Sequence, residues 1–217
     1  MIKERKNIDI ILPCHFFASV NIYALYNLGN IQWEANENFQ KRSIRSRCSI
    51  KTDKGIKHIS VPLKAGKNQQ LPIKKVEISY EENWTKNFIH SLISCYSGSP
   101  YMDFYLDQFV SCLESKPQYL WDLNLELNQL IIDSLEMEDE LTFTKEWIKD
   151  YAEDSWDFRA KTPNFELSYQ YPQLFKEKGL GFIGELSILD LLFCCGPESQ
   201  LHLKNMTDQI ISKNSLY

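Results

Sequence analysis

A histidine, a cysteine and a run of cations are the side chains of this sequence best suited to chemistry. His15 sits in Pro13-Cys14-His15-Phe16-Phe17, between a first apolar run and a first helical pattern. In an open α/β sheet that position lies in the crevice beyond the strand ends, where ligands dock. An imidazole there could transfer a proton, donate to a phosphate at the helix start, or close hydrogen bonds within its own loop. Cys14 is a weaker candidate for a nucleophile, because sequence neighbours point their side chains apart and nothing in the pattern lowers its pKa.

Lys41, Arg42, Arg45, Arg47 and Lys51 follow one another over residues 38–51 without an acid. In an extended strand, alternation puts Lys41, Arg45, Arg47 and Lys51 on one face and Ile44, Ser46, Cys48 and Ile50 on the other. Guanidinium forks match phosphate or carboxylate through paired hydrogen bonds, so the run reads as an anion-binding strand. The competing reading is an edge strand whose cations discourage aggregation. Asp190 interrupts the apolar Leu186-Ser-Ile-Leu189 and Leu191-Leu-Phe193. A carboxylate in that setting wants a partner, and Arg42, Arg45 or Arg47 is expected to supply it. Trp156-Asp157-Phe158-Arg159 holds a second charged pair between aromatics, either a site wall or a local salt bridge.

The elements that must hold these residues are a mixture of strands and helices. Residues 8–12 are a β-branched run stopped by Pro13. Residues 19–28 follow with near-helical spacing and Gly29 as a C-terminal cap, and residues 31–33 form a second strand, which together make a β-α-β opening. Further strands are expected at 46–52, 58–63 and 75–79. After Trp84 the apolar period lengthens to three or four residues, giving helices at 84–96, 101–109, 120–135 and a final one at 186–195 closed by Gly196-Pro197. The predicted fold class is α/β of mixed α+β character, strand-rich over 1–80 and mainly helical over 84–217, in one domain spanning 1–217.

Composition narrows the function classes. With 43% hydrophobic and 24% charged residues over 217 positions the chain is globular in type, and no stretch approaches the roughly 20 apolar residues a membrane helix needs. A net charge of −5 argues against general nucleic-acid binding. Six scattered cysteines and four scattered histidines give no zinc spacing and no disulfide framework, so no metal is expected. The N-terminal charges lead into only about five apolar residues before Pro13, too few for a secretory signal core, and the expected location is the cytoplasm. Residues 133–157 carry ten acids against Lys145 and Lys149, read as a solvated surface.

Several pieces in order resemble the WbqC-like protein family: Ile11-Leu12-Pro13 with Phe16-Phe17, then Asn38-Phe-Gln40-Lys41-Arg42-Ser43-Ile-Arg45-Ser-Arg47. Next come Ser60-Val61-Pro62, Trp84-Thr-Lys86, Tyr96 with Pro100-Tyr101, Asp157-Phe-Arg159, Tyr169-Gln170 and Leu186-Ser-Ile-Leu-Asp190-Leu-Leu-Phe193. Asn87 and Cys194-Cys195 depart from that pattern. The resemblance implies a role in surface-polysaccharide (O-antigen) biosynthesis, adding glycine or a similar group to a sugar. The enzyme expected is a transferase of an aminoacyl or acyl group onto a nucleotide-linked amino sugar, an anionic small molecule. In it Lys41, Arg42, Arg45 and Arg47 hold the diphosphate, His15 takes the proton and Asp190 orients an arginine. Asn38, Gln40, Trp84, Asp157, Arg159, Tyr169 and Gln170 complete the substrate-binding set, and the cofactor is left open. The alternative is a non-catalytic binding or assembly protein of the same machinery.

Overall fold

The computed structural model describes residues 8–64, 71–138, 141–152, 155–161, 165, 167–175 and 179–214. Four strands form a parallel sheet: β1 (Asp9–Pro13), β2 (Asn30–Glu34), β5 (Thr142–Phe143) and β6 (Trp156–Asp157), in the order β5-β2-β1-β6. β1 is central and its Ile10, Ile11 and Leu12 are buried, as expected of a strand covered on both faces. It pairs with β2 from Asp9↔Asn30 to Pro13↔Glu34, across the helix α1 (Val20–Leu25). The predicted β-α-β opening is therefore present.

A second sheet is the antiparallel hairpin of β3 (Arg47–Thr52) and β4 (Gly55–Ser60), in register from Arg47↔Ser60 to Thr52↔Gly55. Gly55 turns it at φ +114°, a conformation side chains rarely adopt. Residues 186–188 stitch the two sheets together. The amide of Val20 donates to Leu186 O, that of Ser187 to Ser49 O, and that of Ile188 to Ala18 O.

The rest is helical: α2 (Trp84–Tyr96), α3 (Met102–Glu114), α4 (Leu120–Ser134), α5 (Ile188–Cys195) and α6 (Ser199–Asn214). Asn83 caps α2 by accepting from Lys86 N, and Ser187 caps α5 by accepting from Leu189 N. Gly196 ends α5 at φ +51° with the Tyr101 ring against it, so no side chain fits.

Four expectations need correction. The cationic strand begins at Arg47; residues 41–46 are turns, with Arg42 at φ +57°. Residues 75–79 make only isolated bridges, because Ile78 and Glu77 face Leu63 and Tyr119 singly. Gly29 does not cap α1, which ends at Leu25. It is glycine because the Ile8 carbonyl, which accepts from Asn30 N, leaves no room for a Cβ. The last helix is α6, whose buried apolar residues are Leu203, Met206 and Ile210 with half-buried Ile211 beside them, and whose buried Thr207 donates to the Ala24 carbonyl.

Candidate functional site

Parallel strands deliver their last residues to one edge, and here that edge is charged. Glu34 ends β2, Asp157 ends β6, and Pro13 ends β1 ahead of Cys14 and His15. β1 is also where the chain reverses its winding, with β2 and β5 added on one side and β6 on the other. Such a switch point is the usual ligand crevice of open α/β sheets.

Two buried arginines meet the acids there. Arg45 Nε donates to Glu37 Oε1 at 2.6 Å, its Nη2 donates to Glu37 Oε2, and the same Nη2 reaches Arg159 O at 3.0 Å. Arg159 Nη1 donates to Glu34 Oε2 at 3.0 Å, while its Nε and Nη2 grip Asp157 at 2.9 and 2.6 Å. The carbonyls of Ile148 and Lys149 accept from the same guanidinium, and the rings of Trp147 and Tyr151 lie 4.2 and 4.6 Å from it. Glu34 is further held by Thr144 Oγ1 at 2.6 Å and Asn36 N at 2.9 Å. Glu34, Glu37, Arg45 and Arg159 are all buried, so two acids neutralise two cations, with Asp157 at the rim. Burial pushes the Glu37 carboxyl up in spite of Arg45. Burial also works against Asp157, but the Arg159 hydrogen bonds outweigh it and hold that carboxyl below its ordinary range.

Asn124 of α4 joins Cys14 to this network, its Nδ2 lying 3.6 Å from Cys14 Sγ and 2.8 Å from Arg45 O. Burial first, and then the Glu37 charge, push the Cys14 thiol up to about 12, so it is no thiolate at neutral pH.

His15 belongs to a separate polar knot. It is 1% exposed, with Nδ1 3.1 Å from Pro13 O and Nε2 3.2 Å from Asn128 Oδ1, and Tyr23 donates to that same oxygen at 2.6 Å. Burial lowers its pKa to about 4, so the ring is neutral at pH 7 and does not reach solvent.

Asp190 forms a third cluster, and its partners are tyrosines instead of the expected arginine. Tyr96 Oη donates to Oδ1 at 2.9 Å and Tyr171 Oη to Oδ2 at 2.8 Å. Burial raises the Asp190 pKa to about 6, opposed by the two tyrosines and by the charge of Lys51. Lys51 is itself buried, with Nζ donating to Gln173 Oε1 and Gly181 O at 3.1 Å each. The reason is topological: Arg45 and Arg159 are held at the sheet edge, while α5 faces the far end of β3, where Lys51 lies.

The remaining predicted residues are dispersed. Asn38, Gln40, Lys41, Arg42 and Gln170 are exposed, and Asn38 bridges to Pro72. Arg47 is half-buried and donates from Nε to Ser60 Oγ at 3.1 Å. Trp84 is buried and stacked on Tyr80, and its indole N–H has no hydrogen-bond partner among the described residues. Tyr169 docks on α6, receiving a bond from Asn205 Nδ2 at 3.0 Å with His202 Nδ1 2.7 Å away. The structure thus gathers Arg45, Asp157 and Arg159 and leaves His15, Asp190 and Tyr169 in other clusters. A groove of about 640 Å³ beside α2, lined by Asn83, Lys86, His90, Ile93, Glu114 and Lys116, contains none of the predicted residues. Among the described residues no group of three side chains is arranged to hold a metal, and no helix is long and apolar enough to cross a membrane.

Glu34, Glu37, Asn124 and Asn128 escape the sequence reading. Glu34 had a signal, a carboxylate directly after the buried Trp33 at a strand's end. The asparagines of α4 had none beyond lying on its apolar stripe.

A parallel sheet with a closed ion network at its carboxyl edge and a basic hairpin beside it defines the molecule's class. Residues 29–161 match the model of the WbqC-like protein family, and the chain belongs to that family. No curated protein and no solved structure matches it significantly. The matched span holds the whole Arg45–Arg159 network; His15 and Asp190 lie outside it.

Proposed function

We propose that the protein is a transferase of surface-polysaccharide biosynthesis that moves an aminoacyl or acyl group, such as glycine, onto a nucleotide-linked amino sugar. One observation carries this reading: the ion network lies at the carboxyl edge of a parallel sheet, beneath the basic turn 41–46. That turn covers the mouth of β1, since Phe16 N donates to Ile44 O and Asn124 Nδ2 to Arg45 O. Exposed Lys41 and Arg42 with half-buried Arg47 meet the phosphates, and Asn38 and Gln40 flank them. Arg45, Arg159 and Asp157 hold the turn and the edge rigid from beneath. His15 and Asp190 act by positioning, each through the loop or helix it anchors. Rate enhancement comes from holding amine and acyl carbon together in a fixed electrostatic setting.

The experiment is incubation with nucleotide-linked amino sugars and activated aminoacyl or acyl donors, read by product mass and by thermal shift. A ligand at 100 times its Kd stabilises by about 2.7 kcal/mol, which for a chain of this size raises Tm by about 5–10 °C. Acylated sugar together with that shift supports the transferase, and unchanged masses with flat melting curves refute it. The second reading, a non-catalytic assembly protein, is favoured by one specific feature: Arg45 and Arg159 already have carboxylate partners. It predicts flat melting curves with every nucleotide sugar.

A further inference from the structure

We propose that the solvent-facing side of the β3–β4 hairpin, formed by Arg47 with Ser60 and Ser49 with His58, is a binding site for a phosphoryl oxyanion. This deepens the reading above, on which the identity of the natural ligand rests, by locating the phosphates of a nucleotide-linked substrate.

The register creates the site. Arg47↔Ser60 and Ser49↔His58 are directly opposed pairs two residues apart, so all four side chains stand on one face while Cys48, Ile50 and Ile59 pack on the other. Opposed pairs lie about 5 Å apart and successive same-face pairs about 7 Å apart, so the four groups outline an area the size of a diphosphate. The face is rigid on both sides. β4 pairs with one edge of β3, and the Ser187 amide holds Ser49 O at 2.8 Å on the other.

The donors are preset and unused. Arg47 Nε is fixed on Ser60 Oγ at 3.1 Å, which orients the planar guanidinium. Among the described residues its two terminal nitrogens make no hydrogen bond and no carboxylate pairs with it. Ser49 Oγ is 2.9 Å from His58 Nδ1. In the tautomer whose Nδ1 accepts from that hydroxyl, the other ring nitrogen of exposed His58 is an N–H donor. A guanidinium fork beside an imidazole N–H is a donor set suited to oxyanions, and Arg47 lacks the acid that neutralises Arg45 and Arg159. The surrounding charge agrees: from residue 38 to 64 the only acid is Asp53, against eight lysines and arginines in a chain of net charge −5. Such a patch draws anions to it.

The test follows the His58 ring Cε1–H signal by NMR, assigned by its loss in His58→Gln, during titration with inorganic pyrophosphate and separately with nucleotide sugars. Wild type is expected to saturate with pyrophosphate. Arg47→Ala is expected to weaken binding about tenfold or more, Arg47→Lys to weaken it less because charge remains without the fork, and Arg42→Ala to weaken it least. Non-saturating shifts in wild type, or equal affinity in Arg47→Ala, overturn the site. Saturation by pyrophosphate with no binding of nucleotide sugars keeps the oxyanion site and removes the transferase reading. Nucleotide sugars that stabilise wild type and Arg47→Ala alike remove this site and take Arg47 off the phosphates, leaving a transferase that holds them through Lys41 and Arg42.

Discussion

Arg45 and Arg47 are two residues apart in the chain and opposite in state. Arg45 is 1% exposed, just before β3 begins, and locked on Glu37. Arg47 opens the strand half-buried, with a serine hydroxyl as its only described partner. The parity that would have put both on one strand face does not apply, because the chain turns at 41–46. One guanidinium therefore holds the sheet edge together while its neighbour stays available. A row of like charges in a sequence is not evidence of a shared task; what separates them is whether an acid from another element reaches each one.

The largest expected effect breaks that asymmetry on the closed side. Arg45→Met leaves Glu37 as a buried carboxylate with no cation, a change that typically destabilises by about 3–5 kcal/mol. Urea and thermal unfolding should show it, with Tm lower by about 6–20 °C. The double variant Arg45→Met/Glu37→Leu removes both charges and should recover most of the loss. A single variant as stable as wild type would mean that the pair is not closed in solution. For the same reason a substrate-binding test should alter Arg47 or Arg42, since changing Arg45 confounds binding with folding.

The next effect contrasts the two other buried clusters. The His15 pKa falls from an ordinary 6.5 to about 4. The native state therefore binds fewer protons than the unfolded chain, and this group's contribution to stability rises as pH climbs from 4 to 6.5. The Asp190 pKa rises from an ordinary 3.8 to about 6. There the native state binds more protons, and the contribution is full in acid and falls as pH climbs through 6. Each change is worth about 3 kcal/mol, and over pH 4–6 they oppose each other. Asp190→Asn should uncover a stability that rises with pH relative to wild type, and His15→Gln one that falls. Urea midpoints at pH 4, 5, 6 and 7 measure both, and curves parallel to wild type would show that these groups titrate normally in the fold.

The architecture was more legible than the site. The β-α-β opening, the hairpin strand at 46–52 and the helices α2 to α5 follow from apolar periodicity, caps and the Gly196-Pro197 stop. Those signals are local, and burial enforces them. β5 and β6 were missed because two-residue strands carry no period, and they lie in the acidic stretch read as solvated surface. At the site, Asp157-Phe-Arg159 was readable as a pair because its partners are two residues apart. Glu34 and Glu37 were not, since Arg159 reaches Glu34 across 125 positions and Arg45 reaches Glu37 only through a turn. Asp190 needs a partner on sequence grounds, but hydroxyls can fill a buried carboxylate's acceptor sites without a counter-charge, at the cost of the raised pKa found here, and the sequence does not say which partner is used.

The smallest expected effect tests the outer wall of the network. Trp147 is 50% exposed, yet its ring lies 4.2 Å from the Arg159 guanidinium. A cation–π contact at so open a position is worth about 0.5–1 kcal/mol. Arg159 keeps its bonds to Asp157, Glu34 and the carbonyls of Ile148 and Lys149 without that ring, so Trp147→Ala should lower stability by only that amount. Arg159→Met should do far more damage, because it strands Glu34 in the interior. If Trp147→Ala were instead as severe as Arg159→Met, the turn that carries the two carbonyls would depend on the ring, and the rim of the network would be held from outside, not by its own ion pairs.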